Sequence, residues 1–373
     1  MKETERISAY QFGVLVFFFT TGTSILAVPA VLAEKSGQDA WLAAVAGTLA
    51  GMVIIALYGV LARCYPGMSL FEAMEWVLGR WIGKVMVAVF IVVMMNYASS
   101  LLYYLGAFLQ TEMLPNTPMP ALNLLMLAAV LLGLFLGLET IARASEIFIV
   151  MYFLFLFLLF ILLLPEIKVE NIRPVFEHGA GTIARASFPL IEVFALNTVT
   201  MLVIYSVSTN SEKGAGRSML VGSAISAAVI ILLTLLCVTV LGGDNTAKQQ
   251  YPGYELAKRI DIGNFIQRIE STMAFLWLIT LFFKTSIYLY AATLGTSRLF
   301  GTGNYRTFIL PLGTMAFLLS LTLFPSIIEF KEWRATVGVK LSILSGIVIP
   351  LLLAAVYVIR RKQLKRKKVA ERC

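Results

Sequence analysis

Apolar runs of membrane-spanning length recur from one end of the chain to the other, and they dictate its architecture. A helix needs about 20 apolar residues to cross a bilayer. Of the 373 residues, 59% are hydrophobic and only 14% are charged, so no stretch remains for a large water-soluble domain. The sequence predicts an all-α integral membrane protein with ten transmembrane helices. The predicted spans are 10–33, 39–63, 82–112, 121–138, 145–165, 184–209, 216–242, 268–300, 307–325 and 336–359.

The distribution of basic residues predicts an orientation. An even number of spans places both termini on one side, and the segments on that side carry most of the 30 Lys and Arg residues. Cytoplasmic loops are enriched in these residues, so we expect both termini in the cytoplasm. The basic tail 360–373 is expected to meet anionic lipid headgroups, rather than a docked partner or nucleic acid.

The first span contains a weak helical segment where a membrane tolerates it least. Five small residues, Thr20–Ser24, are contiguous within FFFTTGTSILAVPAVLA, whereas a packing face would space them three or four apart. Pro29 removes a backbone donor and frees the carbonyl near Ile25. Close packing on a neighbouring helix is the simpler alternative. A true break would offer N–H groups to a carboxylate and C=O groups to an amine or cation.

A ten-span chain with a broken first helix suggests two inverted repeats of five spans, about 10–165 and 184–359. Span six should then be broken as well. In ARASFPLIEVFALNTVTMLVIYS, Pro189 and Glu192 are expected to interrupt the first half. Polar residues around Asn197 cluster near the middle, but no glycine marks a turn.

Two ionisable residues, Glu192 and Lys284, fall inside spans six and eight. Intramembrane charges usually face the bundle interior and serve function. We expect Lys284 either to pair with Glu192 or to lose its proton. In a proton-coupled carrier, a lysine facing a broken span one can replace a sodium ion. In span three, Tyr97, Ser100 and Tyr104 share one helical face, which suits either a pocket wall or a polar seam.

The sequence offers nothing for cofactor or covalent chemistry. It contains no phosphate-binding loop or dinucleotide fingerprint, and its one histidine, His178, lies in a polar loop without a metal-ligand cluster. We therefore expect no metal, no cofactor and no enzymatic activity. The segment YPGYELAKRIDIGNFIQRIES, 251–271, predicts one or two short helices over the outer mouth, or a loop helix that merely packs.

Four passages carry a family resemblance: ISAYQFGVLVFFFTTGTSIL, QDAWLAAVAG, PGMSLFEAMEWVLGRWIGK and YPGYELAKRIDIGNFIQRIESTMAFLW. Over nearly its whole length the chain resembles the B subunit of bacterial spore germinant receptors, the GerAB-type spore permease family. That family belongs to the amino acid–polyamine–organocation superfamily. The resemblance implies a LeuT-like 5+5 inverted repeat with broken helices 1 and 6. It also implies a complex with an A subunit and a lipoprotein C subunit in the inner membrane of the spore.

The resemblance further implies a ligand pocket at mid-membrane. Its candidate residues are Thr21, Gly22, Thr23 and Ser24 from span one, Leu196 and Asn197 from span six, and Thr285 from span eight. As a receptor, the protein would bind a small germinant there and signal to its partners. As a proton-coupled amino acid transporter, it would cycle the same ligand through Lys284. An amino acid is the expected ligand, and a sugar or nucleoside remains an alternative.

Overall fold

The structure, a computed structural model, describes residues 6–205, 212–260 and 269–370, and for 212–213 and 360–370 it describes the backbone alone. Its secondary structure is helical. The α-helices are α1 Ala9–Thr21, α2 Ser24–Ser36, α3 Ala40–Cys64, α4 Leu70–Leu78, α5 Arg80–Phe108, α6 Met119–Leu136, α7 Leu138–Leu163, α8 Gly179–Phe194, α9 Leu202–Tyr205, α10 Glu212–Leu241, α11 Gly243–Lys248, α12 Pro252–Ala257, α13 Glu270–Phe300, α14 Ile309–Thr322, α15 Ile327–Trp333, α16 Val339–Ile343 and α17 Ile349–Ala370.

Shorter helical turns of other types join these elements. The 3-10 turns are Gly37–Asp39, Leu164–Glu166, Val169–Ile172, Leu196–Met201 and Tyr305–Phe308, and the π-helical turns are Leu109–Met113, Arg334–Gly338 and Leu344–Val348. Because π-helical turns are rare and often mark functional sites, the two in the last span draw attention to it.

The described helices account for ten membrane crossings. By length and hydropathy, nine helical runs of the described chain could span a bilayer, and the first of these is Ser24–Cys64. That run consists of two antiparallel helices, α2 and α3. The chain turns between them at Gly37, which has a φ of 49°, and α2 packs back against α3. The short α1 precedes it and forms, with α2, the two halves of one crossing. The predicted number of spans is therefore confirmed.

Two details of the predicted spans are wrong. Pro189 does not interrupt α8, which continues to Phe194; neighbouring groups in a membrane bundle can compensate the hydrogen bond that a proline removes. The last span begins at Ile327, well before the predicted 336. Its first turns carry charged residues such as Lys331 and Glu332, which are exposed and which made the segment resemble a loop.

The connecting loops mark the two ends of the helix bundle, which we call the terminal face and the loop face. The terminal face carries the N-terminal end of α1 and the loop 65–69, and the loop face carries the turn 37–39 and the segment 164–178. Between them, α1, α8 and α13 are enclosed by the other helices, whereas α6, α7 and α14 expose long apolar side chains. This division fits a protein whose outer helices meet lipid.

On the loop face, His178 is not simply solvated. The carboxylate of Asp39 is fully buried and accepts the backbone N–H groups of Phe176 and His178, at 2.7 and 3.2 Å. The ring Nδ1 of His178 lies 3.4 Å from the same carboxylate. The turn after α2 is thereby tied to the segment that leads into α8, so that spans one and six are joined at the loop face.

Candidate functional site

The helix break in span one lies at Gly22. Its backbone angles, φ 28° and ψ −118°, are ones that side-chain-bearing residues avoid. The Gly22 N–H donates to the Phe18 carbonyl at 2.9 Å and ends α1. The Gly22 carbonyl lies 2.9 Å from the hydroxyl of Thr280 on α13. The break predicted from TTGTS is therefore confirmed, and α2 begins with its N-terminal N–H groups at membrane depth.

Lys284 lies directly against this break. A Cβ built on Gly22 would be 2.5 Å from the Lys284 Cδ and 2.9 Å from its Nζ. The side chain is 1% exposed, and Nζ has no hydrogen-bond partner among the described residues. Its one notable neighbour is the Phe19 ring, whose centroid is 5.1 Å away. An unpartnered amine at this depth is costly, which argues for a functional reason to retain it.

Glu192 does not pair with Lys284, and that part of the sequence-based expectation is wrong. Among the described ion pairs, none joins the two side chains. Instead, the Ser342 hydroxyl lies 2.9 Å from Glu192 Oε1 and 3.2 Å from Asn197 Oδ1. The Tyr97 hydroxyl is 2.8 Å from Ser342 Oγ. Glu192 is thus held by a network that links spans three, six and ten.

The second break follows α8 as a 3-10 segment, Leu196–Met201. Its hydroxyl side chains bond back to their own chain: Thr198 to the Phe194 carbonyl at 2.6 Å, and Thr200 to the Asn197 carbonyl at 2.9 Å. These bonds satisfy carbonyls that the α-helix leaves free. The polar cluster predicted in span six therefore builds the break, although no glycine is present.

Both breaks border one cavity. Its volume is about 40 Å³, room for about three water molecules. The predicted residues that line it are Thr23, Tyr97, Ser100, Tyr104, Glu192, Asn197 and Lys284. Tyr97, Ser100 and Tyr104 thus line the cavity together, whereas their spacing on one face of span three suits either a pocket wall or a polar seam.

The other predicted residues do not line the cavity. They are Thr21, Gly22, Ser24, Leu196 and Thr285, and they are absent from the cavity lining. Thr21 donates to Ser226 of α10 at 2.9 Å, and the Leu196 carbonyl lies 3.4 Å from the Tyr58 hydroxyl. Thr21 and Leu196 thus connect the two breaks to neighbouring helices.

Sequence reasoning missed the contribution of span ten. Phe330, Trp333, Arg334 and Gly338 all line the cavity, but the predicted span began after most of them. A signal was present, because residues spaced three or four apart share one face of a helix. Tyr288, Leu101 and Val193 complete the lining.

Aromatic rings close the cavity toward the loop face. Tyr104 stacks on Phe330 with ring centroids 5.6 Å apart and contacts Tyr251 and Trp277 at 5.5 and 5.6 Å. Phe108 packs against Tyr251 and Trp277, with centroids 4.9 Å apart in both pairs. We call these five residues the aromatic lid.

The helix α12 brings Tyr251 into the lid. It is buried against α2 and α13, so it packs and also covers the cavity toward the loop face. Gly253 lies against the Ile25 carbonyl, which is the carbonyl that Pro29 was predicted to free. The remainder of the predicted loop helices, 261–268, lies outside the described residues.

An ion-pair cluster holds the end of α12. Lys258 Nζ lies 3.0 Å from a carboxylate oxygen of Glu112 and 2.6 Å from one of Glu255. Burial alone would lower the pKa of Lys258, but the hydrogen bonds to the two carboxylates outweigh it, so its pKa is raised. The lysine therefore stays charged and ties the lid segment to the end of span three.

Two broken helices facing a mid-membrane cavity define the architecture of a secondary transporter. Solved structures of transporters have a similar fold. The fold is similar to that of Mhp1, a nucleobase-cation-symport-1 family transporter solved closed with bromovinylhydantoin bound. The TM-score is 0.67 at 12% identity, covering 97% of this chain and 80% of that chain. It is also similar to MhsT solved with L-phenylalanine, with a TM-score of 0.65 at 13% identity, covering 95% and 99%. The predicted LeuT-like fold is confirmed.

The chain belongs to the spore permease family, described as Spore germination protein, whose model matches residues 6–327. Spore germination protein KB of Bacillus subtilis (strain 168) is 28% identical over 372 residues, covering 99% of both chains. Spore germination protein A2 of the same organism is 24% identical over 305 residues, covering 80% of this chain and 82% of that protein. The chain is thus a germination-related, transporter-like, multi-pass integral membrane protein, and its resemblance to this family is confirmed.

Proposed function

We propose that this chain is the nutrient-sensing subunit of a spore germination receptor. It binds a small nutrient in the cavity between the two helix breaks and passes the resulting change to partner subunits. One observation carries the proposal: Lys284 Nζ and Ser100 Oγ are both buried without a hydrogen-bond partner, and both residues line the same cavity. Buried polar atoms in native proteins are nearly always bonded, so these atoms suit a ligand.

An amino acid fits the arrangement of charges. Its carboxylate would meet Lys284 and the N-terminal end of α2, where the helix dipole favours an anion. Its ammonium group would meet Glu192 and Asn197 at the opposite break. The similar fold of MhsT, solved with L-phenylalanine, supports this ligand class. The aromatic side chains also suit a sugar or a nucleoside, which is the alternative class.

The cavity has room for about three water molecules, and we propose that a bound nutrient widens it. Widening would separate the helices that meet at Ser342, whose hydroxyl joins Glu192 and Asn197 of span six to Tyr97 of span three. Span ten ends in the helix that continues to Ala370 on the terminal face. Movement of span ten is therefore a direct route from the ligand to that face.

The family suggests the setting of this sensor. We place it in the inner membrane of the spore, with an A subunit and a lipoprotein C subunit as partners. The excess of basic residues on the terminal face supports a cytoplasmic location for both termini.

A proton-coupled amino acid transporter is the second candidate function. The unpartnered Lys284 amine against the span-one break favours it, because a titrating cation there could couple proton movement to the state of α1 and α2. This candidate predicts turnover, whereas a receptor requires binding alone.

Reconstitution into proteoliposomes distinguishes the receptor from the transporter. Purified protein in proteoliposomes is tested for uptake of radiolabelled amino acids and sugars under an imposed proton gradient, and the same preparation is tested for ligand-dependent thermal stabilisation. Stabilisation without accumulation supports the receptor. Accumulation that collapses with the gradient supports the transporter. Neither stabilisation nor accumulation with any compound would contradict both functions.

A further inference from the structure

Arg334 is the third charged side chain of the cavity, and its position depends on an irregular helix. It opens the π-helical turn Arg334–Gly338, directly after α15. A π-helical turn inserts a residue and changes which side chains face inward. Arg334 and Gly338, at the two ends of this turn, both line the cavity, together with Trp333.

Within the described part of the chain, no carboxylate forms an ion pair with the Arg334 guanidinium group. None of the ion pairs within the described chain involves Arg334. Of the acidic residues just before it, Glu332 is exposed and Glu329 accepts a hydrogen bond from Ser326 at 3.3 Å. The cavity's own carboxylate, Glu192, is held by Ser342.

The charges of the cavity therefore do not balance. Arginine remains protonated in proteins. With all three groups ionised, Lys284 and Glu192 cancel and the cavity carries one net positive charge. That charge belongs to Arg334, a partly exposed side chain that forms no ion pair among the described residues. A zwitterionic ligand with a neutral side chain would leave that charge in place.

We propose that the ligand is an acidic amino acid, of the aspartate or glutamate class, whose side-chain carboxylate binds Arg334. The inference rests on the proposed function and specifies the ligand of the same site. A planar guanidinium group donates two parallel hydrogen bonds to a carboxylate, and a ligand with one net negative charge neutralises the cavity. Arg334 then selects the acidic side chain, while Lys284 and Glu192 hold the groups that all amino acids share.

The test is thermal stabilisation of the purified full-length protein by aspartate, glutamate, asparagine and glutamine. We expect an acidic amino acid to bind more tightly than its amide. In Arg334→Gln, apparent affinity for the acidic ligand should fall by about tenfold to a hundredfold, so that the preference is lost. The affinity of Arg334→Lys for the acidic ligand should lie between those of the wild type and Arg334→Gln, because lysine keeps the charge without the paired donors.

Lys331→Gln is the matched control, because it removes one positive charge from an exposed residue three positions away and should bind like the wild type. Unliganded melting temperatures establish that each variant folds. Equal binding of acids and amides, unchanged in Arg334→Gln, would overturn this inference and leave the amino acid sensor intact. Stabilisation by a sugar or nucleoside alone would overturn it while keeping a nutrient receptor. No stabilisation by any compound would count against the proposed function as well.

Discussion

At the scale of single residues, Gly22 and Lys284 depend on each other. Gly22 supplies a backbone conformation that ends α1, and its missing side chain leaves the space through which the Lys284 side chain passes. Lys284 in turn covers the exposed backbone of the break. The site is thus an arrangement of one glycine and one lysine from spans that are distant in sequence.

Replacing Gly22 with leucine should abolish ligand-dependent stabilisation while the protein still inserts into the membrane. The new Cβ would collide with the Lys284 side chain, and the positive φ would be strained. Thermal unfolding with and without ligand measures the effect. Wild-type stabilisation in Gly22→Leu would contradict the assignment of the pocket to this break.

Gly59→Ala is the control for this experiment. Gly59 lies inside α3, and a Cβ there would meet nothing within 4 Å. Alanine is favoured over glycine in a helix by about 1 kcal/mol or less, so this variant should bind ligand normally and be at least as stable as the wild type.

Lys284→Met should produce a protein that is at least as stable but impaired in function. The substitution removes an unpartnered buried amine, whose desolvation costs on the order of 1–3 kcal/mol or more. We expect a higher melting temperature without ligand, weaker ligand binding and loss of any pH dependence of binding. An unchanged pH profile would assign Lys284 a structural role. A marked loss of stability would show that its amine has a partner.

At the scale of elements, span ten holds the site together. Its second π-helical turn, Leu344–Val348, presents Gly346 to the span-six break, where a Cβ would be 2.6 Å from the Leu196 carbonyl oxygen. The Tyr58 hydroxyl donates to the Gly346 carbonyl as well. Ser342 lies between the two π-helical turns and makes the hydrogen bonds to span six. The second π-helical turn thus serves close contact with another broken helix.

Ser342→Ala should loosen this contact. It removes the hydroxyl that bonds to Glu192 and Asn197 and leaves a buried carboxylate without that donor. The expected loss is about 1–3 kcal/mol of stability, measured by thermal or denaturant unfolding. Thr336→Ala is the control, because that exposed hydroxyl bonds only to its own helix, at the Glu332 and Trp333 carbonyls. Equal effects in the two variants would refute a special role for Ser342.

At the scale of the whole molecule, the cavity is covered by different devices toward its two ends. The aromatic lid and α12 cover it toward the loop face. Toward the terminal face, Arg298 of α13 pairs with Glu72 and Glu75 of α4, at 2.9 and 3.0 Å, and so anchors the helices there. Trp333 and Arg334 of the lining are partly exposed and lie close in sequence to the lid residue Phe330, so we expect the ligand to enter from the loop face when the lid moves.

Tyr251→Ala should open that entrance more often. The substitution removes ring contacts to Tyr104 and Phe108, each worth about 0.5–1.5 kcal/mol. The rate at which a water-soluble maleimide labels a cysteine at Ser100 should therefore rise by about tenfold. The background would have Cys64, Cys237 and Cys373 replaced by alanine.

The matched control for the lid is Tyr10→Ala, since Tyr10 is 60% exposed at the start of α1, on the terminal face. In Tyr10→Ala, the cysteine at position 100 should be labelled at the same rate as in the background protein. A labelling rate unaffected by Tyr251→Ala would place the entrance elsewhere.

Much of the fold could be predicted from local sequence. The spans follow from hydropathy, and the first break follows from five contiguous small residues around Gly22. The errors arose where local signals mislead. Pro189 is a helix breaker by rule, yet α8 runs through it, and the charges beside Arg334 resembled a loop although they begin a span. The cavity itself, with its lining from five spans, could be predicted only in part.

Hydropathy and backbone chemistry act over a few residues, so the chain's helical membrane architecture and the location of the Gly22 break were readable along the sequence. Which polar groups meet depends on how distant helices pack. Ser342 and Glu192 are separated by 150 positions, and no local pattern pairs them. Only the packed bundle left Lys284 without a partner, turned Arg334 into the cavity and set Gly253 on the carbonyl of Ile25. Such contacts between distant helices are what tertiary structure adds.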